Sequence, residues 1–450
     1  MRGVYFKNGL LAIAIAAMVG YLFVPLKSRW TPPKPDDVVI QLWHPWSGVY
    51  ADSLNEVIAE FNRTHPGIVA RPLFIPSSAG DKTKFYISVA GNVPPDVAMV
   101  DGTEVATWAH MGVLQPLDER LADAGMKEAD FWGPSWEQCR YRNKTWAVSI
   151  VADPNFALVW NKQLFREAGL DPDKPPKTFD ELVAYCDQLV KYDRTGRIER
   201  LGIMPAFVYS DANAIFTYGW AFGGEFYDDA TQQFTPDHPK VLEAMNWLLF
   251  MRDRYGGQVR QRSFKSGFGD ASQNPFYVGK LAMQVMYISE AQEISRFAPN
   301  MEYGIAPLPA PPGGEYGSSW IGGWTIAMPY GGRGHDKEAF ELIRWMAHDP
   351  KGTAFLAGKM NVLPACRKSP FFDQIHGNRV LEAYYQILQN CRHKRPVSPA
   401  NAFFIDELNR AVSRTIEGLL TPEQAMSEAR QRTQKHLGRL MSQTLADHVK

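Results

Sequence analysis

From Val38 onward the chain alternates short apolar runs with segments of helical periodicity, and this alternation constrains its fold more than any other feature. VVIQLW (38–43) has strand character. After a polar loop, Leu54, Val57, Ile58 and Phe61 recur at helical spacing, with Ser53 and Glu56 spaced as a capping box. His65-Pro66-Gly67 stops that helix before a second extended run at 68–75. A third strand at 96–100 follows the Gly91-to-Pro95 turn and leads into an amphipathic helix ending at Ala109. Further on, Thr178 and Glu181 cap a helix carrying Leu182, Tyr185, Cys186 and Leu189, and 201–205 reads as another strand. Helices lengthen toward the end, at 337–347, 380–389 and 404–440, with a start signal at Thr421-Pro422-Glu423-Gln424. The class is α/β.

At 450 residues the chain exceeds one small core and calls for two to three packed domains. Its 48 Lys and Arg cancel its 48 Asp and Glu, so no basic field is available for a phosphate backbone and nucleic acid is not the expected partner. Cys139, Cys186, Cys366 and Cys391 lie far apart, without metal-ligand spacing, so no metal and no cofactor is expected. Buried free thiols are the simpler reading of the four. In an oxidising compartment one or two bridges are open to them, Cys366 with Cys391 first.

The N-terminus carries an address. Arg2 and Lys7 in the basic flank 1–8 precede an uncharged run at 9–26, GLLAIAIAAMVGYLFVPL, which as a helix is about 27 Å long, close to the bilayer hydrocarbon thickness. It reads as a transmembrane anchor or signal segment. Its Ala-x-Ala pairs fall inside the apolar core, which favours retention over cleavage. Lys27, Arg29 and Lys34 rival the upstream charges, so orientation stays open. Residues 27–37 form a Pro-rich tether.

Ten segments in fixed order, among them FNRTHPGI, GNVPPDVAMVD, LVWNKQLFREAGL, PPKTFDEL, AFGGEFYDD, YGIAPLPAPPGG, SSWIGGWTIA and LLTPEQAMSEA, give the chain a resemblance to a known family. It resembles the carbohydrate-type extracellular solute-binding proteins of ABC importers over residues 38–440. The resemblance implies a two-lobed periplasmic-binding-protein fold whose lobes close over a ligand. Crossings are then expected near 149–154, 306–309 and 361–364. Lobe 1 would comprise 38–150 and 308–360, and lobe 2 would comprise 151–307 and the helical 361–450. A periplasmic or extracytoplasmic monomer is implied, tethered to the cytoplasmic membrane, with a carbohydrate ligand and ABC permease subunits as partners.

A pyranose offers apolar C–H faces and a rim of hydroxyls, so its site needs flat aromatic platforms beside Asp, Asn or Glu. Such residues stand here at strand-to-helix loops, where α/β sheets place ligands. After the first strand come His44, Trp46 and Ser47; a core plug is the alternative for Trp46. Asp101 follows the third strand, where helix capping is the alternative. Asp153 and Asn155 flank Pro154 at the first crossing, and hinge backbone is their alternative. Trp220 and Tyr287 occupy positions where the family places ring platforms, with ordinary core as the alternative. In Trp320-Ile321-Gly322-Gly323-Trp324 the glycines permit close backbone approach, and Gly323 with Trp324 is favoured over Trp320.

No phosphate-binding loop, nucleophile elbow or H-E-x-x-H occurs, so no catalytic residues are assigned and the protein is not expected to be an enzyme. Glycoside hydrolysis would need two facing carboxylates, with Asp101 and Glu290 as the pair. Ferric-ion capture would instead recruit His44 and Tyr287 as ligands. In a sensory role, the anchored domain would report occupancy to a membrane partner rather than deliver solute.

Overall fold

A computed structural model describes residues 33–76, 79–206, 210–269 and 271–442. The basic flank 1–8, the apolar segment 9–26 and most of the tether 27–37 lie outside the described residues. Among those described, no helix is long and apolar enough to cross a membrane.

The first lobe forms around strand β1 (Val38–His44), whose alternate residues Ile40, Leu42 and His44 are buried. Helix α1 (Gly48–Thr64) returns along the sheet and buries Leu54, Val57, Ile58 and Phe61, the stripe expected from their spacing. It begins earlier than expected. Only residues 45–47 separate it from β1, so Ser53 and Glu56 lie inside the helix and cap nothing, and Ser47 takes the N-cap position without a side-chain bond. β2 (Ile68–Phe74) pairs with β1 in parallel, and β3 (Val97–Asp101) lies on the other side of β1. β4 (Val148–Ser149) completes this sheet at its far edge.

The chain then leaves the lobe through β5 (Asp153–Asn155) and enters β6 (Ala157–Asn161), which is wholly buried. A smaller antiparallel sheet is built on β6. Thr178 and Glu181 form the expected capping box at the start of α2 (Phe179–Leu189), each side chain accepting from the other's backbone N–H. Of the expected strand at 201–205 only Leu201 bridges, to Leu281, because the pairing residues precede it at Ile198–Arg200. Helix α3 (Asp211–Ala221) is buried along nearly its whole length. β7 (Met283–Met286) and, after helix α4 (Ile288–Phe297), β8 (Tyr303–Ala306) flank β6 on either side.

The return to the first lobe runs through β9 (Trp320–Gly322), which pairs with β5, and β10 (Trp324–Ala327), which inserts between β3 and β4. The strand exchange therefore falls at Gly322–Gly323, later than the 306–309 expected from the resemblance. Residues between remain hydrogen-bonded to the second lobe: Phe179 N donates to Ala310 O and Glu315 N to Ala221 O. Helices α5 (Asp336–Ala347) and α6 (Pro350–Met360) follow. At the third crossing, Ala152 N donates to Leu363 O. Arg367 N then donates to Asp130 O, so the chain stays on the first lobe somewhat beyond 361. α7 (Arg379–Leu388) rejoins the second lobe, where Tyr384 donates its hydroxyl to Met286 O at 2.6 Å.

The C-terminal helices α8 (Asn401–Ile416) and α9 (Pro422–Ser442) pack against the second lobe, but their approach segment also reaches the first. Thr107 Oγ1 donates to Pro399 O at 3.0 Å, and Lys394 pairs with Glu137 at 2.8 Å. This side-on contact delivers Arg395 to the crossing region.

All four cysteines are free, with Cys139, Cys186 and Cys366 buried. The Cys366–Cys391 bridge is not formed. Cys366 bridges Phe131 on the first lobe, whereas Cys391 follows α7 on the second.

Candidate functional site

The two sheets leave a cavity of about 410 Å³ at the crossing strands. Its position follows from strand register. Asp153 and Asn155 on β5 stand opposite Gly322 and Trp320 on β9. One residue later β10 begins, and Trp324 stands opposite Asp101 of β3. Residues from three separated stretches of sequence are thereby brought to one wall.

Seven of the ten residues singled out from sequence line this cavity: Trp46, Asp101, Asp153, Asn155, Tyr287, Gly323 and Trp324. Trp46 and Trp324 meet edge to face, with centroids 6.1 Å apart and planes at 83°. Gly323 has φ 130°, and a Cβ there would sit 2.3 Å from Val151 O. No side chain fits that corner, so backbone faces the cavity at this point.

The other three lie elsewhere. His44 lines a neighbouring cavity of about 310 Å³, which shares Asp101 and Trp324 with the first. Burial lowers its pKa to about 4, against the opposing effect of a hydrogen bond to the Trp46 backbone, so its imidazole is neutral. Ser47 is exposed at the start of α1. Trp220 is only 3% exposed and stacks on His393, with centroids 5.1 Å apart and planes at 11°. It is an ordinary core residue rather than a ring platform for ligand.

Sequence reasoning missed Tyr50, Asn213 and Arg395, and gave Trp320 second place; all four line the cavity. Tyr50 was detectable, an aromatic residue in the first turn of α1, four positions after Trp46. Arg395 had no local signal, since it arrives from the C-terminal approach segment. Its guanidinium lies 4.7 Å from the centroid of the Trp320 ring, and its Nη2 donates to Asp101 Oδ1 at 3.4 Å. Burial lowers its pKa while the charges of Asp101 and Glu104 oppose that shift. Asp101 Oδ1 also accepts from the Thr103 N–H at 2.9 Å and hydroxyl at 2.6 Å, so this oxygen is shared by three donor groups.

Asp153 is in a different condition. Its Oδ1 is buried and has no hydrogen-bond partner among the described residues. Burial raises its pKa to about 7. The nearby Tyr50 phenol is raised too, chiefly by burial, with the Asp153 charge adding to the effect. Glu290, the other carboxyl considered for hydrolysis, does not line the cavity; Gln284 and Asn274 donate to it, and burial raises it to about 7.

Two α/β lobes, exchanged strands between them and an aromatic cavity at the exchange define a two-lobed binding protein. The chain belongs to the bacterial extracellular solute-binding protein family, whose model matches residues 47–351. That membership places it outside the cytoplasm. It is 24% identical to a maltotriose-binding protein of Pyrococcus abyssi over 70% of this chain, a match spanning 64% of that protein's own length. It is 23% identical to the sn-glycerol-3-phosphate-binding periplasmic protein UgpB of Salmonella typhimurium, over 67% of each chain. A solved structure of CpMnBP1 with mannobiose bound is 25% identical and superposes with a TM-score of 0.75, covering 88% of this chain and 100% of that one. These relatives are named as binding proteins, not as enzymes.

Proposed function

We propose that the protein captures a sugar or oligosaccharide between its lobes and presents it to an ABC-type permease in the membrane. The observation that carries this reading is the joining of Trp46, Trp324, Asp153 and Asn155 in one cavity at the strand exchange. Indole faces suit the apolar C–H faces of a pyranose, and carboxylate and amide groups suit its hydroxyls. The maltotriose and mannobiose of the relatives' names belong to the same ligand class.

Capture proceeds by closure. Ligand contacts from both lobes exist together only in the closed form, so occupancy shifts the population toward it. The permease reads that form, and ATP is hydrolysed by a separate subunit. The chain acts as a monomer without catalysis or cofactor, held at the membrane surface by residues 9–26.

The test is a thermal-shift and tryptophan-fluorescence screen of the full chain against mono- and oligosaccharides, polyols, amino acids and ferric ion. A ligand at about 100 times its Kd adds about 2.7 kcal/mol of stability. A response to a sugar is the expected result. A response only to ferric ion or an amino acid would overturn the carbohydrate reading.

A further inference from the structure

We propose that the captured solute carries a protonated amine, as an amino sugar does, and that Asp153 receives its ammonium group at the floor of the cavity. This rests on the cavity being the ligand site. Two observations combine: the charge balance of the cavity and the composition of its walls.

The cavity is lined by three ionisable carboxyl or guanidinium groups, Asp101, Asp153 and Arg395. Asp101 and Arg395 face one another at 3.4 Å, and each has a further contact, with Thr103 and the Trp320 ring respectively. Their charges offset each other. Asp153 has no ion-pair partner among the described residues, and its Oδ1 accepts no hydrogen bond from them. Glu104, beside the neighbouring cavity, acts on Arg395 as well and does not line Asp153's wall. An incoming anion would meet this surplus unfavourably, whereas a cation would complete it.

The walls suit the same ligand. Trp46, Tyr50, Phe156, Tyr287 and Trp324 line the cavity together with Asp153. Aromatic faces attract cations through their quadrupole, more strongly where water is excluded. A lone carboxyl among aromatic rings is therefore a receptor for an alkylammonium group, while Asn155 and Asn213 remain for hydroxyls. Burial raises the pKa of the Asp153 carboxyl to about 7 in the empty protein. An ammonium group beside it would draw out the proton and restore the charge.

The experiment is calorimetric titration of the full chain, near neutral pH, with matched sets: glucose, glucosamine and N-acetylglucosamine, the mannose and galactose equivalents, and the corresponding disaccharides. The N-acetyl forms keep the shape and remove the charge. Within at least one set the amine should bind about tenfold or more tighter than its hydroxyl parent, and acetylation should abolish the gain. Asp153→Asn, with a melting temperature confirming its fold, should erase the advantage of the amine over its hydroxyl parent, whatever it does to the parent's own affinity. A neutral sugar that binds as tightly as its amine analogue, in parent and variant alike, would overturn the inference and leave the sugar-capture reading standing. No heat from any sugar, amino or neutral, would overturn the capture reading itself.

Discussion

The Trp46 indole meets that of Trp324 edge to face across 6.1 Å, although one ring precedes the first helix and the other opens the last strand of the same sheet. Trp46 belongs to the buried core even as it borders the cavity. Trp324 remains partly exposed to the cavity. Changing it to Ala should weaken binding of the sugar found by the screen about ten- to a hundredfold, with little change in melting temperature. Unchanged affinity in a folded variant would remove Trp324 from the site.

Trp220 predicts the opposite pattern. It is buried against Phe216, Phe226, Trp320 and His393. Trp220→Ala should cost about 3 to 5 kcal/mol of unfolding free energy. Denaturant titration checks this, and a variant of parental stability that had lost binding would return Trp220 to the site.

Gly323→Ala combines a strained φ with a collision against Val151 O. We expect a loss of about 2 to 4 kcal/mol from a single methyl group. A chemical denaturation midpoint equal to the parent's would show that the crossing yields at this point.

Stability of the ligand-free protein should fall as pH rises. Burial raises Asp153 from 3.8 and Glu290 from 4.5 to about 7 each. Their favourable contribution is therefore complete below the unfolded pKa values and is lost as pH passes through about 7. Between about pH 5 and pH 8 the melting temperature should decline from this cause, and Asp153→Asn should flatten part of that decline. A variant with the parental pH profile would show that Asp153 ionises freely.

The thiols should be reduced and slow to react. Burial raises Cys139 and Cys391 to about 12 and Cys186 higher still. An aromatic disulfide reagent should titrate few thiols in the native protein and all four after denaturation. A missing pair in the denatured, unreduced protein would reveal a bridge.

Much of the architecture was legible because it rests on local periodicity. The apolar stripe of α1, the capping box at Thr178 and the break before Pro422 are each set by residues within a few positions of one another. Boundaries were harder. Ser53 and Glu56 have capping-box spacing, yet the short loop after β1 had already started the helix at Gly48. The segment around 306–310 resembled a crossing, but its backbone bonds to 177–179 keep it on the second lobe.

An α/β chain without a basic field could be read from local pattern and composition, as could the position of most cavity residues at strand ends. Three-dimensional packing was needed to bury Trp220 in the core, open His44 onto a second cavity and pair Arg395 with Asp101. Those outcomes depend on contacts between separate stretches of the chain, 294 positions apart for Arg395 and Asp101. Strand register and lobe packing create such contacts, and no local pattern encodes them.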